Sequence, residues 1–75
     1  MANNNDLGIN EHTRPEEAVR LAMERETNAR AFYLQCMEIA NDPGVKKLFE
    51  FLAREEQRHF ELLEREYNRF IEAEN

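Results

Sequence analysis

Asn41-Asp42-Pro43-Gly44-Val45 is the stretch that decides how this chain folds. Asp is a strong helix-capping residue, and proline suits the first helical position, where its missing N–H removes no hydrogen bond. Asp42-Pro43 therefore starts a helix, and what precedes it must end one. Upstream, the pattern runs back without glycine or proline to Thr13-Arg14-Pro15-Glu16. That is a second start signal: Thr13-x-x-Glu16 has capping-box spacing, and Pro15 fits the first turn. Downstream, helical spacing continues to about Ala73. The expected fold is all-α: helix 1 over about 14–41, helix 2 over about 43–73, and a tight turn between them. No segment has the alternation of a strand. Residues 1–13 are polar, rich in asparagine and without period, which predicts a flexible N-terminal arm, with His12 an exposed residue in it.

Each helix carries one broad apolar stripe at spacings of three and four. On helix 1 it reads Ala18, Ala22, Glu26, Ala29, Tyr33, Cys36, Ala40. On helix 2 it reads Val45, Leu48, Phe49, Leu52, Glu56, His59, Leu63, Tyr67, Phe70, with Val19, Met37 and Phe60 at the flanks. Glu50–Arg54 and Glu61–Arg65 are i,i+4 pairs on solvated outer faces. Two helices alone cannot enclose two such stripes. A core in a chain of 75 residues seldom supplies more than about 3–5 kcal/mol. Cys36 is the only cysteine, so no disulfide forms within the chain, and the remaining reinforcements are metal and self-association. A second hairpin stacked on the first closes a four-helix bundle. The expected assembly is a homodimer or a higher homo-oligomer.

Composition excludes other classes. Net charge is −6, and no basic patch with interleaved aromatics offers a nucleic-acid surface. No apolar run reaches the length of a membrane span. The first residues lack the charged and apolar regions of a signal peptide, so the expected location is cytoplasmic.

Glu26, Glu56 and His59 interrupt the apolar stripes. An ionised carboxylate buried without compensation is very costly, so something must hold these groups. Glu26 lies 16 residues before Asp42 (42 − 26), and Glu56 lies 14 after it (56 − 42). In an antiparallel hairpin both stand roughly 20–25 Å from the turn, at 1.5 Å per residue. Glu56 and His59 are i,i+3 neighbours on one helix. Glu55 is a rival at i,i+4 from His59, but it falls farther from the centre of the stripe. A two-fold dimer would bring together four carboxylates and two imidazoles, the donor set of carboxylate-bridged di-iron and di-manganese bundles. Two divalent cations would neutralise that charge, and a mixed N/O shell suits Fe or Mn. Tyr33, two turns after Glu26 on the same stripe, is either a core residue or a hydrogen-bond partner of a metal-bound carboxylate. Cys36 reads as a small buried hydrophobe and Glu66 as an edge residue, or as a guide for cations.

At these residues the sequence resembles the rubrerythrin branch of the ferritin-like superfamily. The matching segments are Glu26-Thr-Asn-Ala29-Arg-Ala-Phe32-Tyr33, Asn41-Asp42-Pro43, and Lys47-Leu48-Phe49-Glu50-Phe51-Leu52-Ala53-Arg54-Glu55-Glu56-Gln57-Arg58-His59. The resemblance spans about 16–72 and makes 14–75 a ferritin-like half-domain. It implies a non-haem site of two Fe ions per dimer, with Mn or a mixed pair as the variant. Glu26 and His59 would be terminal ligands and Glu56 the bridge. It also implies oxidation of Fe(II) with O₂ or peroxide, in iron handling and protection from oxidative stress. The alternative within the same chemistry is peroxide reduction with an external electron donor. An alternative of another class is a non-catalytic, metal-stabilised dimerisation module. Typical members carry four helices in one chain; the half-size plan here looks more like the encapsulated ferritins, which raises a location inside a protein compartment. No clear cargo peptide follows Tyr67-Asn68-Arg69-Phe70.

Overall fold

The computed structural model describes residues 7–74. Helix α1 runs Pro15–Ile39 and helix α2 runs Pro43–Glu74; they pack as an antiparallel hairpin, and no strand occurs among the described residues. The turn is built as its sequence predicts. Asp42 Oδ2 accepts a hydrogen bond from the Val45 N–H at 2.9 Å, and the Asp42 carbonyl accepts from Lys46 N at 3.0 Å. A Cβ on Gly44 would stand 3.1 Å from that capping carboxylate oxygen, so glycine leaves room for the cap. Lys46 Nζ reaches back to the Met37 carbonyl at 2.9 Å. It thus satisfies an orphan carbonyl at the end of α1 with a cation, where the helix dipole favours one.

The start of α1 differs from the expected capping box. Arg14 is the N-cap and makes no side-chain cap hydrogen bond, while Pro15 sits in the first turn. The Thr13 hydroxyl is engaged elsewhere: it accepts from Asn10 N at 2.8 Å. Glu16 pairs with Arg14 at 3.3 Å. Residues 7–13, expected in a flexible arm, lie along α1. Arg25 donates to the Leu7 carbonyl at 2.6 Å, and Leu7 and Ile9 share an apolar cleft with Ala18, Leu21 and Ala22. Gly8 makes the bend with φ of 80°, a left-handed conformation open to glycine without steric cost. The arm's residues 1–6 lie outside the described residues.

Between the helices Tyr33 stacks on Phe49 with centroids 6.1 Å apart, and Phe32 meets Tyr33 edge-on at 5.7 Å. Ala53 is the one buried apolar residue among those described, 4% exposed. The inner line of α2 thus runs through Ala53 and Phe60, rotated from the Leu52–His59 stripe. Helical geometry turns about 100° per residue, so this rotation puts Leu48, His59 and Leu62 on one side of the hairpin. Phe32, Leu48, Phe51 and Leu62 remain 52–60% exposed there. The opposite side carries Arg30, Lys46, Glu50, Arg54 and Glu61. The Cα trace is only 12 Å across its thinnest axis, and nothing among the described residues covers the apolar side.

Candidate metal centre

The two helices bring Glu26, Glu56 and His59 to one point. Glu26 comes from the middle of α1, and the i,i+3 pair Glu56 and His59 comes from the middle of α2. Turn length sets this meeting, because the short connection fixes which turns of the two helices stand side by side. One ligand atom from each residue lies within 4.8 Å of the others. Donor atoms about 2.0–2.2 Å from a shared ion lie at most roughly 4.4 Å apart, so small side-chain rotations would close the cluster.

His59 Nδ1 stands 3.3 Å from Glu26 Oε2 and 3.8 Å from Glu56 Oε2. Despite the first distance, Glu26 Oε2 is buried and accepts no hydrogen bond. The three donors thus stand close together without a hydrogen bond to Glu26 Oε2, a spacing that a shared cation could draw in. An unpartnered carboxylate oxygen would otherwise be a substantial destabilisation. The carboxylate side chains of Glu26 and Glu56 are 22% and 17% exposed, while His59 is 52% exposed. The imidazole therefore stands at the rim, on the apolar side of the hairpin.

Glu55 points away from this group and pairs with Arg58 at 2.9 Å. Tyr33 is held by its stack on Phe49. Cys36 is a free, half-buried thiol. Glu66 accepts from Arg69, and that guanidinium holds the Glu66 carboxyl below the usual carboxylate range. His12 is exposed in the arm beside Glu11.

A family profile described as Rubrerythrin matches residues 7–75. The chain belongs to the rubrerythrin family. Among curated proteins and among solved structures, none matches it. Membership makes this a ferritin-like protein of a family that typically binds iron. The donor set fits such an ion on the chain's own evidence: two half-buried carboxylates, one imidazole, and a carboxylate oxygen with no partner. No helix among the described residues is long and apolar enough to cross a membrane.

Four neighbours of the site were not legible as functional in the sequence. Thr27, Arg30, Gln57 and Phe60 line a small cavity against Glu26 and Glu56. A signal was available: they are the i+1 and i+4 positions of each carboxylate, which helical geometry places on one side of it.

Proposed function

We propose that Glu26, Glu56 and His59 are metal ligands and that a second copy of this chain completes a two-iron site. We further propose that the assembled protein is a ferroxidase. The observation that carries the reading is the buried, unpartnered Glu26 oxygen beside the Glu56 and His59 donors. Its support for a dimer is the side on which the imidazole stands: the same side exposes Phe32, Leu48 and Leu62. Two hairpins laid apolar side to apolar side bury those residues and bring four carboxylates and two imidazoles together. Glu26, Glu56 and His59 of each copy would hold the ions. Bound iron would supply redox capacity and Lewis acidity. The chain supplies the rest: four negative charges that draw divalent cations, and an apolar surround that strengthens those electrostatics.

The substrate is Fe(II). Two Fe(II) give one electron each, and dioxygen takes both electrons with two protons to leave as hydrogen peroxide. Peroxide as oxidant takes two electrons and two protons to give two waters. Aerobic addition of Fe(II) to metal-free protein, followed by ferric absorbance, tests this. Faster oxidation than in buffer, lost in Glu56→Ala, is expected. Oxidation at the buffer rate with no bound metal would defeat it. Metal-dependent dimerisation without turnover would leave a structural metal module instead.

A further inference from the structure

The site has two sides, and the proposed dimer closes only one of them. On the other side Glu26 and Glu56 line a cavity of about 70 Å³ together with Thr27, Arg30, Gln57 and Phe60. Thr27 and Gln57 each follow a carboxylate by one residue, and Arg30 and Phe60 each follow one by four. Both helices thus turn the same pair of positions toward the charged outer surface, directly opposite His59.

We infer that this opening admits small neutral or anionic molecules to the carboxylate pair from the outer face, with Thr27 and Gln57 setting its width and Arg30 its charge preference. The inference rests on the two-metal reading above and adds a route and a selectivity to it. Three observations carry it. The cavity touches both carboxylates without crossing the apolar side, so a dimer leaves it open. Its volume holds a few waters, each needing about 10–15 Å³ in this measure; the open grooves beside it on the same face measure 320 and 310 Å³. An aromatic chelator or a bulky organic hydroperoxide does not fit. Arg30 makes no ion pair among the described residues and lines the same cavity as the two carboxylates, so once bound metal neutralises Glu26 and Glu56 its charge remains at the opening. A fixed cation at the opening of a metal-loaded site raises the local concentration of anions there.

The route makes the three lining residues gatekeepers, not ligands, and a test that bypasses turnover separates the two roles. Co(II)-loaded protein is titrated with azide, a three-atom anion, and the visible Co(II) spectrum reports binding. Wild type is expected to bind one Co(II) per chain and to respond to azide. Thr27→Trp is expected to keep that stoichiometry and slow azide association at least tenfold, while Thr27→Ser leaves it unchanged. Arg30→Glu is expected to weaken azide binding severalfold and to reverse the sign of its dependence on ionic strength. Absence of bound Co(II) in wild type would overturn the metal reading, and this route with it. Full Co(II) loading with no azide response, or with azide association equal in wild type, Thr27→Trp and Arg30→Glu, would overturn the route alone.

Discussion

The two faces of the hairpin carry opposite kinds of surface around one pair of carboxylates. The face with His59 exposes Phe32, Leu48, Phe51 and Leu62. The face with Gln57 exposes paired charge, such as Arg20–Glu24 at 2.6 Å and Arg54–Glu50 at 3.0 Å. Glu26 and Glu56 lie between, and each side chain is less than a quarter exposed. The difference teaches that helical hairpins of this size do not have one core. This one has a thin internal seam and, among the described residues, a second apolar face left uncovered.

The largest effect expected from breaking this comparison is at the seam. Glu56→Ala removes one of the three proposed donors from each copy. Bound metal is expected to fall from about one ion per chain to less than a tenth of that, measured by elemental analysis. Next comes the apolar face. Leu48→Glu places a charge where a partner would bury leucine, at a cost on the order of 3 kcal/mol per site for a buried unpaired charge. The dimer dissociation constant is expected to rise more than 100-fold by analytical ultracentrifugation. Glu61→Lys, on the opposite face, is expected to leave it unchanged; equal effects of the two would contradict the two-face account.

A smaller loss is expected inside the seam itself. Ala53→Leu overpacks the one buried apolar position among the described residues. Overpacking of this kind costs about 1–3 kcal/mol, read as a lower denaturation midpoint with metal stoichiometry retained. Asp42→Ala removes the α2 cap and is expected to cost about 1 kcal/mol, without altering association.

The fold was legible because its punctuation is local. Asp42-Pro43 states a helix start within two residues, and Glu26 and Glu56 then meet because they stand at similar distances from it. The capping box at Thr13-x-x-Glu16 was misleading for an equally local reason: the Asn10 N–H claims the Thr13 hydroxyl first. The packing of Leu7 and Ile9 on α1 was not legible because a seven-residue segment with two apolar side chains has no period to read. The rotation of the seam toward Ala53 was also hidden. Periodicity marks a broad apolar arc on α2, and only the fit of the second helix decides which part of the arc is inside. That same rotation carries His59 to the rim and exposes the cavity beside Gln57.

The smallest effect concerns the ion pair near the end of α2. Arg69 holds the Glu66 carboxyl below its ordinary range, so the folded value lies under the unfolded one. Its contribution to stability is present above the unfolded pKa and is lost as pH falls through the folded one. Arg69→Gln is expected to raise the Glu66 pKa in an NMR titration, with no change at the metal centre.

The central claim is that the site belongs to two copies of the chain. Sedimentation equilibrium with metal analysis on the same samples tests it most directly, on protein prepared metal-free and after loading with Fe(II) under anaerobic conditions. The account predicts a dimer holding two ions, stabilised by loading, with Glu26, Glu56 and His59 all required. A monomer at every concentration, with or without a bound ion, would contradict it.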